Sequence, residues 1–202
     1  VITVRLSEPP PEYPAEPGPL DILYEDEALL AVDKPAGLMV HPSAARDTGT
    51  LANRLAWYYA ESGQACRIHP VTRLDRDTTG VVLLAKHAHF HDLLMQDLAA
   101  GAIHKTYQAW VWGGPTGNSG LIDAPIARPD PLRMARAVAP EGKPARTRWR
   151  VLRREADRTL LELQPLTGRT HQLRVHCLWM GWPMVGDPQY ATPASAAADA
   201  AL

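Results

Sequence analysis

Cysteine is nearly missing from this chain: Cys66 and Cys177 are the only two. Two well-separated thiols make no disulfide framework, so a reducing compartment, the cytoplasm, is expected. Long apolar runs are missing too. None approaches the roughly 20 residues that a membrane helix needs, so no membrane partner is expected. The first residues are acidic and proline-rich rather than basic and then apolar, which speaks against a signal peptide. Metal motifs are equally scarce. His87, His89 and His91 alternate and His171 and His176 lie five apart, but neither spacing matches a His-Glu-x-x-His or Cys/His zinc pattern. No metal is therefore expected, and there is no Gly-rich phosphate loop and no Gly-x-Ser-x-Gly elbow.

What is present is a hydrophobic fraction of 46% over 202 residues, enough for a substantial core. The net charge of −1 hides an uneven distribution. Residues 1–33 are acidic, with Arg5 as the sole cation. Residues 133–154 carry Arg133, Arg136, Lys143, Arg146, Arg148, Arg150, Arg153 and Arg154 against Glu141 alone. A chain near neutrality can therefore still present one strongly basic face.

Six prolines between residues 7 and 19 exclude helix there and predict an extended arm over residues 1–19. Ile22–Tyr24 and Ala28–Val32 read as two strands around an acidic turn, closed by a second turn at Lys34-Pro35-Ala36-Gly37. Thr50–Ser62 has helical spacing with Gly63 as its stop. Val81–Ala85 is a continuous apolar run and reads as a buried strand. Phe90, Leu93, Leu94 and Leu98 predict an amphipathic helix ended by Gly101. Lys105–Trp112 is a strand candidate. In Arg146–Val151, Thr147, Trp149 and Val151 fall on one face and Arg146, Arg148 and Arg150 on the other, with Thr159–Leu163 as the partner strand. Thr170–Met180 reads as a helix ending at Gly181, and Ala191–Leu202 as an alanine-rich tail. This mixed order predicts an α+β fold with a mainly antiparallel sheet, not a βαβ array.

Two segments concentrate chemistry. Thr72-Arg73-Leu74-Asp75-Arg76-Asp77-Thr78-Thr79-Gly80 packs charges directly before an apolar strand. Alone it reads as a solvated charged loop, yet a short polar loop feeding a buried strand holds its side chains at a rigid rim. Leu166 to His176 alternates Arg and His with small and apolar residues, a pattern that a basic helix start also produces. Lys105-Thr106-Tyr107 adds one tyrosine in a strand, a position more often occupied by a core residue.

Taken together and in order, these segments resemble the RluA family of RNA pseudouridine synthases. The resemblance runs through Ile22–Asp26, Val32–Pro42, Arg73–Gly80, Lys105–Tyr107, Gly142–Thr147, Thr167–His176 and Gly181–Asp187. It implies the pseudouridine synthase fold, a mixed, mainly antiparallel sheet with flanking helices and a central cleft, over a catalytic domain of residues 20–202. It implies that Asp75 is the catalytic aspartate, that Tyr107 stacks on the target uracil, and that Arg174 pairs with the aspartate. Arg73 would fill the space left by a flipped nucleotide, while Arg76, Lys105, Arg169, His171, Arg146 and Arg148 would bind RNA. Two departures stand out: Thr72 replaces the usual His before Arg-Leu-Asp, and Thr79 replaces the usual Ser. The family's further C-terminal strand and an N-terminal S4-like module have no counterpart, so the chain is expected to be short at its C-terminus.

The implied activity is isomerisation of specific uridines in structured ribosomal or transfer RNA, by a monomer for which no DNA partner is expected. The N1–C1′ bond is cut, uracil turns, and C5 joins C1′; the product is an isomer, so no cofactor or redox partner is required. A carboxylate serves such a reaction as nucleophile or electrostatic partner at C1′, or as a base on the sugar. The target base must leave the stack, at a cost of a few kcal/mol. The competing reading is an RNA-binding or RNA-folding module without catalysis. Asp75 discriminates, because a pure binder gains nothing from a carboxylate among cations. A metal-dependent nuclease would need ligand clusters that the sequence lacks.

Overall fold

The computed structural model describes residues 13–42, 48–130, 132 and 135–202. Most of the arm (residues 1–12) and Arg133 of the basic run lie outside these. The chain divides into two compact units, Val1–Ile103 and His104–Leu202.

In the first unit, β1 (Asp21–Glu25) and β2 (Leu29–Lys34) form an antiparallel hairpin. Its turn is set by Asp26, whose carboxylate accepts from the Ala28 and Leu29 amides, both at 2.7 Å, an arrangement typical of Asp at turns. Helix α1 (Leu51–Glu61) follows, with Thr50 and Asn53 in a reciprocal cap that satisfies amides left open at a helix start. Then come β3 (His69–Pro70), β4 (Gly80–Ala85) and α2 (Ala88–Ala100). The strand order is β1-β2-β4-β3. Leu30, Val32, Val82 and Leu84 meet Leu51, Leu55 and Tyr59 of α1 in the core. Each such buried aliphatic contributes about 1.5–3 kcal/mol. The described part of the proline segment is non-helical and lies along α1: Asn53 donates to the Pro14 carbonyl at 3.0 Å and the Glu16 amide to Asn53 O at 3.1 Å.

One expectation is corrected in this unit. The run Val81–Ala85 does form β4, but Val81 is 56% exposed, and burial is confined to Val82, Leu84 and Ala85. Helix α2 forms and ends at Gly101 in the left-handed conformation, as expected; Phe90, Leu94 and Leu98 are half-buried along one face, while Leu93 and Met95 lie exposed.

The second unit holds β5 (Tyr107–Trp112), β6 (Ser119–Asp123), β7 (Ile126–Ala127), β8 (Ala137–Val138), β9 (Arg146–Arg154), β10 (Arg158–Pro165), α3 (Gln172–Trp179) and α4 (Pro193–Asp199). Four of these strands pair antiparallel in the order β5-β10-β9-β6, and β7 pairs with β8. The alternation along β9 is as expected, with Thr147 and Trp149 buried and Arg146, Arg148 and Arg150 exposed. Val111, Ile122, Trp149, Leu161, Leu163 and Cys177 form the core beneath α3. Helix α3 starts two residues later than its periodicity predicts, because His171 takes a left-handed conformation (φ 56°). The alanine-rich tail contains α4, capped by Thr192 and Ser195 and opened by Pro193. Among the described residues no helix is long and apolar enough to cross a membrane.

Candidate active site

In the first unit, Arg73, Asp75 and Arg76 share the loop before β4. The loop is anchored from inside. Lys34 is fully buried, and its ammonium donates to the carbonyls of Pro35 (2.9 Å), Leu38 (2.8 Å) and Arg76 (2.8 Å). Three carbonyls saturate its three donors. Burial pulls the Lys34 pKa below its ordinary value, partly opposed by the carboxylates of Asp77 and Asp75. The Asp75 carbonyl accepts from the Thr78 amide at 3.2 Å, and Leu74 packs against the core. Asp75 is therefore half-buried on a braced turn, not on a free loop. Thr72 turns its hydroxyl to the Leu83 amide at 2.9 Å, tying the loop to β4. Arg73 is exposed, whereas Arg76 forms a two-pronged pair with its neighbour Asp77 at 2.9 Å. His41 lies near this charge: burial, then Arg73, holds its pKa down, so its ring is neutral.

In the second unit, Tyr107 pairs laterally with Leu163, which pairs with Trp149, so all three share the face that α3 covers. Arg174 projects from α3 into a bidentate pair with Asp187, Nε to Oδ2 at 2.7 Å and Nη2 to Oδ1 at 2.8 Å. Its guanidinium lies 4.7 Å over the Tyr190 ring. Asp187 also accepts from the Gln189 and Tyr190 amides at 2.9 and 3.0 Å. Burial works against its ionised form, but the Arg174 pair and the two amides prevail, holding the carboxyl below its usual range. The Tyr190 hydroxyl meets His171 Nδ1 at 2.7 Å and accepts from the Arg136 amide at 2.8 Å.

Beneath this, Gln172 and His176 tie α3 to β9. Gln172 donates to Arg146 O and Thr147 Oγ1, at 2.9 and 3.0 Å. His176 Nε2 donates to Ala124 O at 3.0 Å, so Nδ1 accepts from Thr147 Oγ1 at 2.8 Å. Burial lowers the His176 pKa and keeps the ring neutral.

The basic residues divide. Lys105 lies beside the loop before α3: a side chain at Gly168 would come within 4.0 Å of its Nζ. Arg169 donates to Pro144 O at 2.9 Å. Arg146 and Arg148 stand on the opposite sheet face from Tyr107, where they line a cavity of about 670 Å³ with Leu121, Gln164 and Leu166. Neighbouring Arg150 is paired to Glu162 at 3.0 Å. Among the described residues no group of His, Cys, Asp or Glu is arranged to hold a metal ion. Sequence reasoning missed Asp187 and Tyr190 as partners of Arg174. Asp187 closes the last resembling segment, but nothing in its spacing signals an arginine partner.

The first unit thus carries a braced aspartate turn, and the second a clamped arginine helix beside an inward tyrosine. Residues 28–179 match the family model described as RNA pseudouridylate synthase, and the chain belongs to that family. Within it the chain is of the RluA type. It is 44% identical over 179 residues to ribosomal large subunit pseudouridine synthase D of Pseudomonas aeruginosa, covering 89% of this chain and 56% of that protein. It is 41% identical over 182 residues to an uncharacterized RNA pseudouridine synthase of Bacillus subtilis, covering 89% of this chain and 59% of the relative. The chain thus spans under two thirds of these relatives' length. Among solved structures, human RNA pseudouridylate synthase domain containing 4 aligns with a TM-score of 0.71 at 29% identity, over 86% of this chain and 69% of that one. The domain containing 1 protein, also human, gives 0.72 at 26% identity, over 89% and 74%. The fold is therefore the α+β pseudouridine synthase fold.

Proposed function

We propose that this protein converts specific uridines in RNA to pseudouridine, with Asp75, Tyr107 and Arg174 as its catalytic residues. The carrying observation is the family match over residues 28–179, a span that includes the Asp75 turn and the α3 arginine. Asp75 acts at the sugar, as nucleophile or electrostatic partner at C1′ or as a base. Tyr107 offers a flat face to the extruded uracil. Arg174 supplies a fixed positive charge in a fork geometry. The net change is a glycosidic N1–C1′ bond exchanged for C5–C1′, with the C5 proton released to solvent and a proton returned to N1.

Arg73, the exposed cation beside Asp75, enters the gap left by the flipped nucleotide. Arg76, Lys105, Arg169 and His171 contact the surrounding RNA, and Arg146 and Arg148 hold a separate stretch of its backbone. The substrate is structured RNA rather than DNA. The names of the ribosomal relatives favour large-subunit rRNA over tRNA. The protein works as a monomer in the cytoplasm and needs no cofactor. Mapping pseudouridine across total RNA from cells with and without the gene tests this reading. One or a few uridines should lose modification and regain it on complementation. An unchanged map would reject it.

A further inference from the structure

The Arg174 side chain is held on more sides than a surface ion pair requires. One edge of its guanidinium, Nε and Nη2, is matched to both oxygens of Asp187 at 2.7 and 2.8 Å. Its Cζ lies 4.7 Å from the centre of the Tyr190 ring. The clamp is itself fixed. The Asp187 side chain is only 6% exposed, and its Oδ1 takes two backbone amides besides the arginine. Tyr190 is buried, with its hydroxyl held by His171 Nδ1 and the Arg136 amide. His171 stands at the start of the helix that carries Arg174, so the clamp returns to the element it holds. A bidentate fork fixes both position and plane of a guanidinium, which a single charge contact does not.

We infer that Asp187, backed by Tyr190, is a positioning residue that fixes the orientation of the Arg174 guanidinium and so sets the rate of the chemical step without contacting RNA. The inference rests on the reading of Arg174 as a catalytic residue. A merely structural pair would tie residues 187–190 to α3 and affect stability alone. A positioning pair loses rate when the fork is broken, even in a folded protein that still binds RNA.

The test uses Asp187→Asn and Asp187→Glu in single-turnover tritium release from C5-labelled RNA, beside filter binding on the same RNA. Asp187→Asn keeps shape and amide acceptance but loses the charge. Its rate should fall roughly 100-fold, the scale that slight misplacement produces, with RNA affinity within about twofold. Asp187→Glu should recover part of the rate. In an Arg174→Lys background, which has no fork to align, Asp187→Asn should add little. Asp187→Asn at wild-type rate, or a full additional loss in the Arg174→Lys background, would overturn the inference. If wild type releases no tritium from any RNA, the functional reading fails, and the clamp is judged by NMR of the Arg174 Nε–H. That signal should be protected in wild type and exchange freely in Asp187→Asn. Equal exchange in both would overturn the clamp itself.

Discussion

At the scale of single residues, burial decides which groups are fixed and which are left to meet a substrate. His176 is buried and neutral, with both ring nitrogens bonded. Its pKa is depressed in the folded protein, whereas the unfolded chain protonates it near 6.5. The stability it contributes is therefore complete above pH 6.5 and declines as pH falls below that value toward the folded pKa. His41 acts in the same direction. A thermal melt series should show Tm dropping from pH 7 to pH 5.5, with a shallower drop in His176→Gln, which is less stable throughout. Parallel curves would show that His176 does not set the slope. Cys177 is fully buried, and burial pushes its thiol up to about 12. It should resist alkylation at pH 8 in the native protein and react after denaturation; labelling at the rate of a free thiol would contradict its placement. The expected roles of Asp75, Tyr107 and Arg174 came from ordered motifs. Their neighbours were harder to see, because Lys34, Asp187 and Tyr190 act through buried contacts that no periodicity records. Lys34 reads as a turn residue in the sequence but is fully buried, holding the Arg76 carbonyl at 2.8 Å.

At the scale of elements, long strands and the longer helices were legible and short pieces were not. The alternation in β9 and the stop at Gly63 state their structure outright. Strands β7 and β8 are two residues each, too short to carry a period. Helix α4 reads as an alanine-rich tail, yet Thr192, Pro193 and Ser195 are its start signals. Its Asp199 accepts from Trp112 Nε1 at 2.9 Å and the Gly186 amide at 2.8 Å, which ties the tail to β5 and the Asp187 segment. Helix α2 shows the reverse: its apolar period is clear, but nothing in a single sequence says whether that face is covered. Gly142 marks another element-scale constraint. A Cβ there would approach the Ile126 backbone to between 2.5 and 2.7 Å, beside the bridge from Ile126 to Lys143. Backbone cannot swing aside as a side chain does, so Gly142→Ala should destabilise by about 1–3 kcal/mol in urea unfolding. A change below about 0.5 kcal/mol would mean that the bridge shifts freely.

At the scale of the whole molecule, a net charge of −1 conceals a basic sheet face. Strand alternation puts Arg146 and Arg148 on that face, away from the covered Tyr107 side, beside exposed Leu121 and Leu166. Arg150 is neutralised by Glu162, so Arg146 and Arg148 carry the face's charge. RNA affinity should fall steeply with salt, and Arg146→Ala with Arg148→Ala should flatten the slope by about one for each phosphate that is no longer neutralised. An unchanged slope would mean that neither arginine touches the RNA.

Asp75 is the residue proposed to make this protein an enzyme rather than an RNA binder. Asp75→Asn keeps the side chain's size and removes its charge. Tritium release from C5-labelled uridine, measured for wild type and Asp75→Asn on the same RNA with a parallel binding curve, separates the two directly. Wild type should release tritium, and Asp75→Asn should fall to background while its RNA affinity holds or rises slightly, since a negative charge near phosphates is gone. Full activity in Asp75→Asn would mean that Asp75 is not the catalytic residue.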